Sequence, residues 1–269
     1  MKQPPRCVII LIHGFAEHSQ RYTHFAKFYN EHNYTVVSMD LRGHGISEGQ
    51  RGFAPSIESL WQDLDLLISE IRQRYPLSPI VLYGHSMGGN LCLSYALNRN
   101  TSKTSVCPYA AMIVTGPWIR LTAQPMSPVS FLIRTLSRIH PTLNLPLKLD
   151  STLVSRDKDV VEAYVNDPLV HGRATAALFA SINDMALTMD KNGGEFFIPV
   201  LIQHGGADGL TSYVASRRFA ERSKGDVLYK EWPDLYHEIH NEPEKDLIFQ
   251  FTLNWIEEKL FPKKEQLDT

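Results

Sequence analysis

Short runs of apolar residues recur along the chain, and each ends in a polar or glycine-containing turn. Six such runs, rich in β-branched residues, cover positions 8–12, 34–39, 80–83, 110–115, 199–203 and 227–231. Continuous apolar runs without alternation are typical of strands that are buried on both faces. Between them, apolar residues recur every three or four positions, as at Ile57, Leu60 and Leu64, which predicts amphipathic helices. The alternation predicts an α/β fold in which helices flank a mostly parallel sheet.

The interval 116–195 departs from this rhythm, because its 80 residues contain no strand candidate. A crossover between parallel strands needs far fewer residues, so we infer an insertion. Helical spacing of apolar residues persists within it, at 129–136 and at 178–189. We therefore predict a helical cap at 117–195, inserted into a single core formed by 1–116 and 196–269.

The charge balance argues against a nucleic-acid partner. Lys and Arg total 27 against 29 for Asp and Glu, so the net charge is −2 and we expect no broadly basic surface. The three cysteines, Cys7, Cys92 and Cys107, form no CxxC pair, which argues against a zinc ribbon or a disulfide scaffold. They predict reduced thiols in a cytoplasmic protein. The longest apolar run covers 7–12, far short of the roughly 18 residues that span a membrane.

The pattern GxSxG at 84–88 is the strongest chemical signal, and it falls between a predicted strand and a predicted helix. A sharp turn there forces the central residue, Ser86, into strained dihedral angles. Small residues two positions away on each side allow the backbone to pass. The adjoining helix N-terminus favours developing negative charge. We therefore predict that Ser86 is a nucleophile.

A serine nucleophile needs a base that is held by an acid, and the chain order after this type of turn is serine, acid, histidine. His237 follows the last predicted strand by a short loop, where a base would lie over the sheet. Asp208 follows the strand at 199–203, at the edge where α/β sheets place their sites. The weaker candidates are His204 and His240 for the base, and Asp226 and Asp234 for the acid.

An oxyanion hole requires two backbone N–H groups that point at the developing negative charge. One belongs to Met87, the residue after the nucleophile. The other comes from the loop after the first strand, where we select Phe15. His13 in the same loop is expected to order it by hydrogen bonding rather than to act as a base.

Several longer stretches extend these motifs, and with them the chain resembles the α/β-hydrolase superfamily. Within it, the sequence is similar to the monoglyceride lipase and lysophospholipase branch, over nearly the whole chain including the cap. The stretch around Ser86 is shared by the superfamily, whereas the first and fourth stretches below are much more specific. The matching stretches are HGFAEHSQRY (13–22), DLRGHGISEG (40–49), GHSMGG (84–89), SRDKDVVEAYVNDPLVHG (155–172), HGGADGL (204–210) and the closing Tyr236-His237.

The resemblance implies a serine hydrolase that cleaves carboxylic esters of lipids, foremost monoacylglycerol to glycerol and fatty acid, through an acyl-enzyme. Alternatives of the same fold are a lysophospholipase and a general carboxylesterase. It implies no metal and no cofactor. Carried over to this sequence, the family's site consists of the triad Ser86, Asp208 and His237, the oxyanion donors Phe15 and Met87, and an alcohol pocket at Glu17, Arg21 and His240.

Two expectations concern surfaces. Members of the branch carry an antiparallel hairpin before the strand that ends at His13-Gly14, where this sequence has six residues. We expect the hairpin to be missing, which would leave 34–39 as an exposed apolar edge on which a homodimer could form. The apolar stripes of the cap, at 129–136 and 178–189, are expected to line an acyl tunnel and to contact a membrane surface peripherally.

Three rival functions stay open at the level of sequence. A peptidase or amidase of the same fold would need an acidic group for the substrate amine, which Glu162 or Asp184 in the cap could supply. A non-catalytic receptor would bind a ligand and turn it over slowly. A metalloenzyme is disfavoured, because the segment 237–240 has HExH spacing instead of HExxH and lacks a third ligand pattern.

Overall fold

A computed structural model describes residues 4–99, 107–147 and 149–262. All six predicted strands are present, within two residues of their predicted bounds, and correspond to the first four and the last two strands below. The strands are β1 (Cys7–Ile12), β2 (Tyr34–Ser38), β3 (Ile80–His85), β4 (Ala111–Thr115), β5 (Asn144–Pro146), β6 (Arg173–Thr175), β7 (Val200–Gly205) and β8 (Val227–Trp232).

Six strands form one parallel sheet in the order β2-β1-β3-β4-β7-β8. Parallel strands bring their carboxyl ends to a common edge, so the turns that follow β1, β3, β7 and β8 lie near one another. The predicted outer position of 34–39 is confirmed, because β2 ends the sheet on one side. Its side chains after Tyr34 are half-buried, since α1 (Thr23–Glu31) packs against this strand.

Helices cover both faces of the sheet. In the part of the chain that the structure describes, seven follow α1: α2 (Ile57–Arg74), α3 (Met87–Arg99), α4 (Ser127–Ile139), α5 (Lys158–Asn166), α6 (Ala176–Asn192), α7 (Tyr213–Arg222) and α8 (Lys245–Leu260). Short 3-10 helices lie at Ser19–Tyr22, Ser151–Leu153 and Ile239–Asn241. Within the described ranges, none of the helices is both long and apolar enough to cross a bilayer.

An apolar core lies on each face of the sheet, between the strands and the helices. On one face of the sheet, α1 and α8 contribute Phe25, Tyr29 and Phe249 to a cluster of aromatic rings. On the other face, α2, α3 and α7 bury aliphatic and aromatic side chains such as Leu64 and Phe219. The spacing that predicts α2 is confirmed, because its apolar positions are the ones that are buried.

The segment between β4 and β7 contains α4, α5, α6 and a small antiparallel pair, β5 with β6. We predict no strand within 116–195, and that prediction is wrong, because β5 and β6 lie there. Each of these strands has only three residues, which is too short to produce an apolar run that sequence can show.

The two apolar stripes of this segment differ in burial. The stripe of α6 packs into the core, where Leu178, Ile182 and Met189 are buried, so it is not a surface for lipid. By contrast, α4 buries no residue fully. Phe131 is 71% exposed and Leu132 is 55% exposed, which leaves an apolar face open to solvent.

Candidate active site

The turn between β3 and α3 carries Ser86 in a left-handed conformation, with φ at +54°. Glycines permit this turn because the backbone passes itself closely. A Cβ at Gly84 would lie 2.4 Å from the Gly88 carbonyl oxygen, and one at Gly88 would lie 2.2 Å from the Ile12 carbonyl oxygen. The predicted strand–turn–helix geometry around Ser86 is therefore present, and it needs glycine two positions away on each side.

The turns after β7 and β8 bring the two other predicted side chains together. His237 Nδ1 lies 2.7 Å from Asp208 Oδ2, and both side chains are buried. Gly116, with φ at +49°, follows β4 beneath them, and a Cβ there would lie 3.2 Å from His237 Nδ1. Ser86 and His237 line the same cavity, which places the serine beside the histidine–aspartate pair.

The groups around the Asp208 carboxylate stabilise its ionised form. Its Oδ1 accepts hydrogen bonds from the backbone N–H groups of Leu210 and Thr211, at 2.8 and 2.9 Å. Burial alone would raise the pKa of Asp208, but the charge of His237 and the hydrogen bond from His204 hold that pKa well below its usual range. Burial alone would lower the pKa of His237, but the neighbouring Asp208 charge outweighs burial and raises it.

The two predicted oxyanion donors are free. In the described part of the chain, neither the Phe15 N–H nor the Met87 N–H has a protein acceptor. Met87 begins α3, where first-turn N–H groups have no helical partner. His13 orders the Phe15 loop as expected, because its Nδ1 donates to the Gly14 carbonyl and its Nε2 accepts from the Leu41 N–H.

The inserted segment holds the loops on which these groups lie. The His171 N–H donates to the Ala16 carbonyl at 2.9 Å, next to Phe15, and Ala16 has φ at +66°. On the other side of the site, the Glu238 N–H donates to the Val154 carbonyl at 2.8 Å. Both loops are therefore tied by backbone hydrogen bonds to residues that sequence assigns to the cap.

Glu17 and Arg21 do meet, but in a larger buried cluster than the sequence predicts. Arg21 Nη1 bonds Glu17 Oε2 at 2.6 Å, and both terminal nitrogens of Arg21 bond the Glu238 carboxylate at 2.7 Å. Glu17 Oε1 also accepts from the Gly14 N–H and the Tyr22 hydroxyl. Despite burial, the Arg21 charge lowers the pKa of Glu17 to about 2.

His240 lies against this cluster. Its ring stacks on the Tyr22 ring at 4.6 Å and 19°, and it meets the His85 ring at 4.7 Å. His85 lies equally close to His237 on its other side. Both ring nitrogens of His240 are buried without a hydrogen-bond partner within the described ranges. The polar cluster adjoins the nucleophile, because a Cβ at Gly14 would touch both Glu17 Oε1 and Ser86 Cβ.

One group of side chains has the spacing of metal ligands. Single ligand atoms of Glu17, His85 and Glu238 lie within 4.8 Å of one another. The Arg21 guanidinium already bonds both carboxylates, and a cation in that position opposes a divalent ion. The cluster is therefore explained as an ion-pair network.

The cavity over Ser86 is small and apolar. It has a volume of about 40 Å³, against the several hundred Å³ of ordinary ligand pockets. Leu147 and Leu149 separate it from a second cavity of about 270 Å³, which Tyr164 and His171 also line. The segment between β4 and β7 contributes Trp118, Leu121, Leu147 and Leu149 to the lining of this cavity, and the described residues of α4 and α6 do not contribute to it.

Two neighbours of the site make contacts that sequence reasoning did not predict. Glu238 pairs with Arg21, and its only sequence signal is its place next to His237. His204 is considered only as a rival base, yet its Nε2 lies 2.9 Å from Asp208 Oδ2. Its position four residues before the acid is the signal that could have identified it.

The sheet order, the serine turn and the His237–Asp208 pair define an α/β-hydrolase. The sequence profile of the family described as "Serine aminopeptidase, S33" matches residues 3–244. This chain belongs to that family and falls in its monoglyceride lipase-like branch.

Relatives with described activities cover almost the whole chain. A "Monoacylglycerol lipase" of Mycolicibacterium smegmatis is 33% identical over 94% of this chain and 88% of its own length. The "Phospholipase YtpA" of Bacillus subtilis is 27% identical over 91% of this chain and 93% of its own. The crystal structure of a monoacylglycerol lipase from Paleococcus ferrophilus superposes with a TM-score of 0.85, at 31% identity over 94% of this chain and 95% of that one.

We expect Arg21→Met to lower the free energy of unfolding by about 3 kcal/mol or more, because it leaves two buried carboxylates without the guanidinium that neutralises both. Glu238→Gln should cost less, since the Glu17–Arg21 pair survives. Arg134→Met is the control, because Arg134 pairs with Asp184 at the surface, where such pairs contribute at most about 1 kcal/mol. Urea unfolding measures all three, and a smaller loss for Arg21→Met than for Glu238→Gln would contradict the prediction.

Proposed function

We propose that this carboxylic ester hydrolase, which acts on lipid esters, cleaves monoacylglycerol to glycerol and fatty acid through an acyl-enzyme on Ser86. The observation that carries the proposal is the constellation at one sheet edge. Ser86 in its strained turn shares a cavity with His237, which Asp208 holds at 2.7 Å. The free N–H groups of Phe15 and Met87 supply the complementary charge.

Each group has one task in this reaction. His237 Nε2 accepts the hydroxyl proton as Ser86 Oγ attacks the ester carbonyl, and Asp208 stabilises the imidazolium that forms. The carbonyl oxygen becomes negative and receives hydrogen bonds from Phe15 and Met87. His237 then returns the proton to the departing glycerol oxygen. A water repeats these steps on the acyl-enzyme and releases the fatty acid.

The polar cluster favours glycerol as the leaving alcohol. Within the described ranges, neither ring nitrogen of His240 has a hydrogen-bond partner, and the ring stacks on Tyr22, whose hydroxyl donates to Glu17. Glycerol hydroxyls both donate and accept hydrogen bonds, so they can satisfy such groups. The cluster of two carboxylates and one guanidinium is net negative, which opposes the phosphodiester of a lysophospholipid. Monoacylglycerol is therefore the preferred substrate, with lysophospholipid as the second candidate.

The described carboxylates give little support to a peptidase. A substrate amine would need a carboxylate with a free oxygen near Ser86. Glu17 and Glu238 are bonded to Arg21, and Asp184 pairs with Arg134 at the surface. Glu162 lines a cavity beside Tyr236 instead of the cavity over Ser86. The alternative of a receptor that turns its ligand over slowly is tested by measuring the steady-state turnover of an ester.

Residues 117–195 act as the cap in this proposal, and α4 is its membrane-facing surface. The exposed side chains of Val129, Phe131 and Leu132 would enter the lipid interface and bring the acyl chain to the site. The acyl chain would occupy the two cavities that Leu147 and Leu149 separate. We further propose that the protein is cytoplasmic. Separately, we propose that it forms a dimer along the outer strand β2, which measurement of its size in solution tests.

Ser86→Ala should lower kcat by about three orders of magnitude or more, because the acyl-enzyme cannot form. Hydrolysis of a monoacylglycerol, followed by fatty-acid release, measures the effect. Ser69→Ala, at an exposed serine on α2, is the control and should retain wild-type turnover. An Ser86→Ala enzyme with more than about a tenth of wild-type activity would exclude Ser86 as the nucleophile.

His240→Phe keeps a ring for stacking on Tyr22 but removes both nitrogens. We expect it to reduce kcat/KM for monoacylglycerol about tenfold, the loss expected from an unpaired hydroxyl. A p-nitrophenyl ester of equal acyl length places no hydroxyl there, so its kcat/KM should change much less. Glu17→Gln should discriminate in the same direction. Equal losses on both substrates would mean a structural role for these residues.

Leu132→Asp should weaken binding to phosphatidylcholine vesicles several-fold, because a charge replaces apolar surface in the proposed interface. Leu77→Asp is a matched control, since Leu77 is 87% exposed and lies before β3, at the sheet edge opposite the site. Co-sedimentation with vesicles measures binding, and thermal unfolding checks the fold. Unchanged binding of the folded Leu132→Asp variant would remove the membrane contact from the proposal.

A further inference from the structure

Two histidines share one oxygen of the Asp208 carboxylate. His237 Nδ1 lies 2.7 Å from Oδ2, and His204 Nε2 lies 2.9 Å from the same atom. The Thr211 hydroxyl also donates to Oδ2, at 2.8 Å. His204 lies in β7, is fully buried, and has no part in the reaction as described above.

The hydrogen bonds around His204 fix its tautomer. Both the Asp208 carboxylate and the Thr211 carbonyl, at 3.3 Å from Nε2, are acceptors, so Nε2 carries a proton. On the other side of the ring, Nδ1 lies 2.9 Å from the Ser216 hydroxyl, which can donate to it. The contacts therefore form a chain in which Ser216 donates to His204 and His204 donates to Asp208.

We propose that His204 is a positioning residue that sets the strength of His237 as a base, by acting on the carboxylate the two histidines share. A donor to Oδ2 stabilises the anion and withdraws charge from the bond to His237. The same donor fixes the rotamer that points Oδ2 at Nδ1. Because His237 must be neutral to accept the serine proton, a weaker pull from Asp208 extends activity to lower pH.

This inference rests on the proposed role of His237, whose other neighbours also influence its titration. His85 on β3 faces it at 4.7 Å, and the charges of Glu17 and Glu238 raise its pKa. Arg21 pairs with both carboxylates. His240 follows on the next 3-10 helix. These groups stay unchanged in the variants below, so a difference among variants reports on His204.

The pH dependence of kcat/KM with p-nitrophenyl butyrate tests the inference. His204→Leu removes the donor, and we expect the acidic limb to move up by about half a pH unit or more. His204→Gln retains an N–H donor and should return the limb close to that of the wild type. His32→Gln, at an exposed histidine after α1, should leave the limb unchanged. A uniform fall in kcat/KM at every pH, with the limb unmoved, would overturn the proposal.

A second measurement does not depend on activity or on a stable His204→Leu variant. Ser216→Ala removes the donor to His204 Nδ1, which weakens the His204 donor and should shift the titration of His237 upward by a smaller amount. NMR titration of histidine-labelled protein follows this in wild-type, His204→Gln and Ser216→Ala chains. A shift without ester turnover would retain the inference and refute the proposed function. Turnover with an unshifted His237 in Ser216→Ala would refute the inference alone.

Discussion

The close passage of α3 over the end of β1 is the constraint on which the site depends. A Cβ at Gly88 would lie 2.2 Å from the Ile12 carbonyl oxygen, so only glycine lets the helix begin there. That contact brings the first N–H groups of α3 beside the loop that follows β1. It therefore brings Met87, one proposed oxyanion donor, toward the loop that carries Phe15, the other. The strained dihedral angles of Ser86 are a consequence of the same packing.

Burial then decides the electrostatics of the site. Every carboxylate in it is compensated locally: Asp208 by histidines and backbone N–H groups, and Glu17 and Glu238 by Arg21. A buried charge without such partners would be neutralised by a shift of its pKa. The two networks lie on either side of His85 and His240, which burial keeps neutral, since it lowers the pKa of both. The His237–Asp208 pair and the cluster of Glu17, Arg21 and Glu238 are therefore each compensated locally, although the charges of Glu17 and Glu238 still raise the pKa of His237.

The inserted segment contacts the loops of the site and also carries an exposed apolar surface. Its backbone holds the Phe15 loop through His171 and the His237 loop through Val154, while α4 turns an apolar face to solvent. A segment with both kinds of contact can couple the state of the outer surface to the order of the loops beneath it. The small cavity over Ser86 belongs to this arrangement, because Leu147 and Leu149 of the inserted segment line it.

The sequence by itself determined the sheet, the insertion and the strand–turn–helix arrangement around Ser86. Continuous apolar runs and helical periodicity are local consequences of burial, and GxSxG is a local consequence of backbone crowding at Ser86. The positions of Asp208 and His237 also followed, because chain order and the carboxyl edge of a parallel sheet limit the choices. Only the tertiary structure decided which apolar stripe was core and which was exposed, since α4 and α6 look alike in sequence. It also decided that Glu238 and His204 join the site, because folding supplies their partners. Glu238 bonds Arg21, which lies 217 residues away in the sequence. His204 shares the Asp208 carboxylate with His237.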